Sequence, residues 1–218
     1  MKQEANADQL QNGFKPYFLH VEGMDLAGKS TVANKIANSS NLEWVVNDKR
    51  LTTSNSIYDF AWEQGKRGTY NSDIMGYLYL AALMEDLRTF EHKSNIIQDS
   101  TLLLRSLNYY KTLGENDNLV HAFISLLPKH PKPDKSFYLT ADIDARRDRL
   151  ENRMLLTPKK LTAIDMLIKN DPKKFTWLDD SLRDLSIGCF NSCVIDTSKI
   201  SETEVVEQIM DICEFEHE

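Results

Sequence analysis

Short apolar runs alternate with longer amphipathic stretches along the chain. Tyr17 to Glu22 (YFLHVE) is β-rich and ends at Gly23, which predicts a strand entering a loop. Lys29 to Ala37 places Val32, Ala33, Ile36 and Ala37 on one face, which predicts a helix. Glu43 to Val46 reads as a second strand, and Ile57 to Gln64 and Asp73 to Glu91 as helices. Asn95 to Asp99 (NIIQD) is a third strand that ends in a carboxylate, with helices expected over Leu102 to Thr112 and Asn118 to Leu127. Pro128, Pro131 and Pro133 punctuate a loop before a fourth strand, Ser136 to Thr140. Ile143 to Met154 reads as a strongly charged helix, followed by helices at Thr162 to Lys169 and Lys173 to Leu185. Cys193 to Asp196 is a fifth strand, and Glu202 to Phe215 a closing helix.

Strands alternating with helices predict an α/β fold with a parallel sheet covered on both faces. Such sheets bind ligands beyond the carboxyl ends of their strands. Gly23, Asp48 and Asp99 all fall at such ends and are expected to converge in one crevice.

Length and charge narrow the class. The 218 residues suit one domain, expected over 14–218, with residues 1–13 as a flexible extension. A formal charge of −7 weighs against nucleic acid as a partner. No apolar run reaches membrane-span length, and the polar N-terminus does not read as a signal peptide. A cytoplasmic protein with no membrane partner is expected. Cys189, Cys193 and Cys213 are odd in number and lack a CxxC pair, which reads as buried structural thiols. His20, in mid-strand, reads as a packed core histidine.

Only 8 residues are glycine, about half the average usage, so each position is informative. Two of them frame Gly23-Met24-Asp25-Leu26-Ala27-Gly28-Lys29-Ser30-Thr31, a match to G-x-x-x-x-G-K-[ST] between a strand and a helix. The glycines let backbone N–H groups turn toward phosphate oxygens, and the helix adds the positive end of its dipole. Lys29 supplies a point charge to the β/γ-phosphates, and the Ser30 hydroxyl can ligate Mg²⁺. Asp25 inside the loop is suited to hold an arginine or to accept from an acceptor hydroxyl.

FLHVEGMDLAGKSTVANKIA (Phe18 to Ala37) resembles the N-terminus of thymidylate kinases, whose pattern is strand-E-G-x-D-G-x-G-K-S/T-T. Glu22, Gly23, Asp25, Gly28, Lys29, Ser30 and Thr31 match, and Leu26 stands where the family usually has glycine. NIIQD resembles the strand that in the family ends in Asp-Arg-Tyr. Pro133-Asp134 and SFYLTADIDARRDRLENR resemble the segment leading into the family's lid, and VIDTSKISETEVVEQI its last strand and helix. The resemblance implies a P-loop NTPase fold with a five-stranded parallel sheet, ATP and Mg²⁺ as cofactors, and a dimer through the long helices.

The resemblance also implies a lid, placed at about 154–161, with Lys159 and Lys160 as cations. Arg146, Arg147, Arg149 and Arg153 lie just before it, and 146, 149 and 153 share a helical face. Arg153, then Arg149, are the candidates to face the transferring phosphoryl group. Arg146 and Arg147 read rather as members of an ion-paired face. Asp99 is placed to hold Mg²⁺ through water or to act as base toward the acceptor.

On the acceptor side the chain departs from the family. Ser100 replaces the arginine after the strand-ending Asp. The family's A-D-R motif corresponds to Tyr79-Leu80-Ala81-Ala82-Leu83, and its R-E-P motif to Asn47-Asp48-Lys49-Arg50. Two guanidinium groups expected at an acceptor phosphate are missing, and leucine or serine cannot replace them. Arg50, Arg88 or Arg105 are candidates to substitute. Tyr77, Tyr79, Trp62, Tyr109 and Tyr110 are candidates to line an acceptor pocket. The expected activity is ATP-dependent phosphotransfer to a small-molecule acceptor, with a nucleoside monophosphate first. The alternatives are a nucleoside or specialised metabolite, and a nucleotide-binding switch that is not a kinase.

Overall fold

The computed structural model describes residues 15–114, 116–156 and 161–213. Five parallel strands run β1 (Phe18–Glu22), β2 (Trp44–Asp48), β3 (Asn95–Asp99), β4 (Lys135–Thr140) and β5 (Cys193–Asp196), in the spatial order β2-β3-β1-β4-β5. The helices are α1 (Lys29–Ser39), α2 (Ser56–Arg67), α3 (Ser72–Thr89), α4 (Leu102–Leu113), α5 (Asp117–Leu126), α6 (Ile143–Leu156), α7 (Ala163–Asn170), α8 (Pro172–Phe190) and α9 (Glu202–Cys213). Every expected element is found, with ends displaced by a few residues. Residues 1–13, proposed as an extension, lie outside the described residues.

The two faces of the sheet differ in chemistry. Leu19, Val21, Ile97, Phe137, Leu139 and Ile195 form one face, packed against Val32 and Ile36 of α1 and Val205 and Ile209 of α9. The other face carries His20, Glu22, Gln98, Ser136 and Tyr138, all buried. Helices α4, α6, α7 and α8 cover Tyr138 with Leu104, Leu150, Ile168, Phe175 and Leu182. Helices α2, α3, α4 and α5 build a further cluster around Leu83, Leu103, Leu107 and Phe123. Among the described residues, no helix is long and apolar enough to cross a membrane.

His20 is fully buried, with its Nδ1 2.8 Å from Ser136 Oγ and its ring edge-on to Phe190. It is the core histidine expected. The cysteines depart from expectation: Cys213 is buried, whereas Cys189 is partly buried and Cys193 is exposed. β5 is an edge strand of the sheet, and Cys193 and Val194 at its start are both exposed. Helix α6 runs to Leu156, so residues 154–156 of the expected lid continue the helix. Residues 157–160, with Lys159 and Lys160, lie outside the described residues.

Candidate active site

Gly23 follows β1 with φ 145°, and a Cβ there would stand 2.1 Å from the Leu139 carbonyl oxygen of β4. Only glycine fits this approach of loop to sheet. The loop that follows has its carbonyls bound in sequence. Gly23 O accepts from Arg105, Met24 O from Lys29 Nζ at 3.1 Å, and Asp25 O from Arg146 Nη1 at 2.5 Å. Leu26 O accepts from Arg149 Nη1 at 2.9 Å and Ala27 O from Thr197 Oγ1 at 3.2 Å. A peptide unit points its N–H opposite its C=O. Drawing these carbonyls toward the surrounding side chains leaves the amides of Met24, Asp25, Leu26 and Gly28 to an anion on the other side, while the Gly23 N–H donates to Glu22 Oε1 and the Ala27 N–H to Met24 O.

Helix α1 completes that anion site. Its N-cap is Gly28 at φ 92°, with no side-chain cap and no acidic residue in the first turn. By contrast, Asn55, Asn71, Thr101 and Asn116 cap α2 to α5 through their side chains. The α1 N-terminus keeps its N–H groups and its positive dipole end for a ligand.

Two clefts meet at this loop. One, about 400 Å³, is lined by Leu26 to Val32, Arg149, Arg153, Thr197, Ile200, Glu202 and Val205. The other, about 470 Å³, is lined by Asp25, Leu26, Lys29, Ser30, Asn34, Val46, Asp48, Lys49, Asp99, Ser100, Arg105 and Arg153. They share Leu26, Lys29, Ser30 and Arg153. Asp48 and Asp99 are register partners at the ends of β2 and β3. The second cleft brings together Asp48 and Asp99 of the crevice expected beyond the strand ends; Gly23, the third residue expected there, lines neither cleft.

Strain is concentrated here. Among the described residues, Leu26 (φ 67°), Lys49 (φ 60°), Ser100 (φ 70°) and Asn191 (φ 53°) are the non-glycine residues in left-handed backbone. The first three line the second cleft. Each costs on the order of 1–2 kcal/mol against an ordinary conformation. Leu26 therefore holds, at a cost, the conformation that a glycine would adopt freely. Its side chain recovers part of this by packing with Met24 and its neighbours in the buried cluster.

Charge is arranged in pairs. The Ser30 hydroxyl donates to Asp99 Oδ2. Glu22 is fully buried; its Oε1 accepts from the Gly23 N–H and from Arg105 Nε, both at 3.0 Å, and its Oε2 from the Thr101 N–H at 3.0 Å. Burial by itself raises the Glu22 carboxyl, but the Arg105 guanidinium, with His20 behind it, holds it well below the usual range. Arg105 is raised in turn: burial opposes its charge, and Glu22 and Asp25 outweigh that. Asp25 lies 3.7 Å from Arg105 Nη1. Its carboxyl is raised by burial and lowered more strongly by Arg105 and Lys29, so it sits below its ordinary value. Burial, with Arg105 nearby, pulls the Lys29 ammonium down to about 8.

The arginine helix divides in two roles. Arg146 is fully buried, ion-paired to Asp179 at 2.9 Å and seated over the Phe175 ring. It is therefore not on a solvated face; it braces the loop from inside. Arg147 is half-exposed and paired with Asp144, as read from the sequence. Arg149 lines the first cleft but is held by Leu26 O and Thr197 O. Arg153 lines both clefts and pairs with Asp165 at 2.5 Å.

The remaining candidates are spread out. Arg105 is at the second cleft. Arg50 turns away, with Nη1 2.9 Å from Asp59 and its guanidinium over the Tyr58 ring. Arg88 pairs with Glu85 on the exposed side of α3. Tyr79 packs beside Tyr58 in the α2–α5 cluster, and Tyr110 is buried with its hydroxyl on Ser72 O. Tyr77, Tyr109 and Trp62 are exposed on the helices, and none of these five aromatics lines either cleft. Lys49, missed in the sequence, lines the second cleft with its Nζ 5.0 Å from the Trp62 ring centroid. Its signal was its place just after a strand-ending carboxylate. Asp165 and Asp179, which hold Arg153 and Arg146, gave no signal among the many charges of α7 and α8.

Comparison with known proteins adds a family. The family model for thymidylate kinase matches residues 21–175. No curated protein matches by sequence. Among solved structures, a thymidylate kinase from Candida albicans is similar at TM-score 0.60 and 17% identity, covering 92% of each chain. A deoxyadenosine kinase from M. mycoides is similar at TM-score 0.60 and 18% identity, covering 90% of this chain and 98% of that one. A thymidylate kinase from Ehrlichia chaffeensis is similar at TM-score 0.60 and 14% identity, covering 92% of this chain and all (100%) of that one. At these identities the structural likeness shows the fold.

Proposed function

The chain belongs to the thymidylate kinase family of P-loop kinases, and on that premise we propose that it moves the γ-phosphoryl group of ATP onto an acceptor of the nucleoside or nucleotide class, at the junction of its two clefts. The observation that carries this reading is the set of residues the clefts share: Lys29 and Ser30 from the phosphate loop and Arg153 from α6. A phosphoryl group passing in line between donor and acceptor must cross that junction. The transfer needs little covalent chemistry from the protein; it needs positioning and positive charge against the moving oxygens.

The roles follow from position. The amides of Met24, Asp25, Leu26 and Gly28 and the uncapped α1 N-terminus cradle the β- and γ-phosphates. Lys29 faces the β/γ oxygens, and Arg153 supplies further charge from the C-terminal part of α6. The Ser30 hydroxyl and the Asp99 carboxylate are the residues that would hold Mg²⁺, Asp99 directly or through water. Their mutual hydrogen bond fits that role. Among the described residues no group of three acidic, histidine or cysteine side chains is ready to hold a metal alone. That fits a cation held mainly by phosphate oxygens and water. Bound Mg²⁺ neutralises charge on the phosphates.

The neighbours' names, thymidylate kinase and deoxyadenosine kinase, support an acceptor of the nucleoside class. Phosphorus NMR of the chain with ATP, Mg²⁺ and a mixture of nucleosides and nucleoside monophosphates tests the reading. It predicts ADP together with a new phosphoester from a nucleoside or a new diphosphate from a monophosphate. ADP with inorganic phosphate alone contradicts it.

A further inference from the structure

The clefts differ in how they treat anions. The first offers loop amides, an uncapped helix N-terminus and Lys29. The second presents three carboxylates, Asp25, Asp48 and Asp99. Asp25 and Asp48 have side chains 38% and 64% exposed. The lowering of the Asp25 carboxyl by Arg105 and Lys29, against burial, keeps it ionised near neutral pH.

Lys29, shared by both clefts, donates to Met24 O; the other cations at the second cleft are already ion-paired. Arg105 spends its Nε on Glu22, its Nη2 on Gly23 O and Ser100 Oγ, and its Nη1 on the side of Met24 and Asp25. Arg153 holds Asp165, and Arg50 beside the cleft holds Asp59. Lys49 lies 3.4 Å from Asp48. Among the described residues, each arginine at or beside this cleft is thus ion-paired within the chain. A phosphate monoester carries about −1.5 to −2 charges near neutral pH. Asp25 and Asp99 match carboxylates of the family pattern, whereas Asp48 lies in the stretch that replaces its R-E-P motif and adds a negative charge; a monoester here would face it while competing for guanidinium groups already paired, one of them with a fully buried acid. Ionised carboxylates are acceptors only. Their natural partners are hydroxyl and amino groups.

Resting on the phosphotransfer reading above, we propose that the acceptor is uncharged at the reacting end: a nucleoside whose sugar hydroxyls donate to Asp25 and Asp48, in preference to a nucleoside monophosphate. In the reaction the acceptor hydroxyl oxygen bonds to the γ-phosphorus. The bond from that phosphorus to the β,γ-bridging oxygen breaks, and ADP leaves with its electron pair. The reacting hydroxyl's proton passes to Asp25, while Asp48 accepts from a second hydroxyl that does not react. The products are a nucleoside monophosphate and ADP. Ser100, at the position where the family carries an arginine, fits this assignment, because a neutral acceptor needs no second guanidinium.

The test compares kcat/KM for nucleosides and for their matching 5′-monophosphates, with ATP and Mg²⁺ and the full chain. The inference expects at least one nucleoside to exceed its monophosphate by tenfold or more. If the preferred acceptor is a monophosphate, or lies within tenfold of one, the inference is overturned while the kinase reading stands. No transfer to either set overturns both. In a second arm, Asp48→Asn changes an exposed side chain the fold does not depend on. Removing one repelling charge is expected to narrow the nucleoside-to-monophosphate ratio by about threefold to tenfold. An unchanged ratio overturns the electrostatic argument.

Discussion

Arg105 Nε donates to Glu22 Oε1 across 3.0 Å, and the pair clamps helix α4 onto the start of the phosphate loop. Glu22 is fully buried and the Arg105 side chain is 18% exposed, so water cannot replace the guanidinium at the carboxylate. Arg105→Met leaves a buried carboxylate unpaired, and the expected loss is about 3–5 kcal/mol of unfolding free energy. Glu22→Gln combined with Arg105→Met removes the stranded charge and recovers part of that loss. Urea unfolding of the two single variants and the double variant gives the coupling. Near-zero coupling means the pair does not act as a clamp.

The ammonium of Lys29 gives two opposite pH effects. Its value in the fold, about 8, lies below the ordinary 10.5, because burial disfavours the charge. Folding with Lys29 charged is therefore penalised below pH 8, and the penalty is relieved as pH rises from 8 toward 10.5. Stability of the free chain gains over that window. Phosphate binding needs the charged form, so ATP affinity weakens over the same window. At pH 8, ATP binding is expected to take up about half a proton as the phosphates restore the charge. Calorimetry in buffers of different ionisation heat measures that uptake. Lys29→Arg, charged throughout, should abolish it.

Gly23 and Gly28 are not equivalent. At Gly23 an alanine Cβ collides with the Leu139 carbonyl, while at Gly28 nothing lies within 4 Å. Gly23→Ala is expected to cost about 2–4 kcal/mol through overpacking and backbone strain. Gly28→Ala, with backbone strain alone, costs about 1–2 kcal/mol. Thermal unfolding of both variants checks the order. Equal losses would mean that the strand β4 yields to the loop.

Most of the fold was legible in the chain, because each strand is a short apolar run and each helix an amphipathic one. Gly23, Gly28, Lys29 and Ser30 were legible for a different reason: phosphate binding fixes both residue type and spacing. The alternation of sheet faces was also visible at His20. The roles of Arg146 and Arg149 were not. Acidic neighbours on α6 suggested a solvated face for Arg146, and Arg149 was expected to face the phosphoryl group, whereas their partners, Asp179 and Thr197, come from distant parts of the chain. Lys49 and Leu26 could not be read as strained, since backbone angles leave no mark in a residue's identity unless it is glycine. Arg105 was a candidate only for lack of an arginine at Ser100, and its pairing with Glu22 depends on α4 packing beside β1.

The central claim is that phosphoryl transfer crosses the junction marked by Lys29. Single-turnover transfer from γ-labelled ATP to the preferred acceptor, compared between the natural chain and Lys29→Ala, tests it most directly. Removing one preorganised charge from developing phosphate oxygens is expected to slow transfer by about 10²–10³-fold, with the unfolding curve retained. A folded Lys29→Ala chain that transfers at the natural rate would contradict the account.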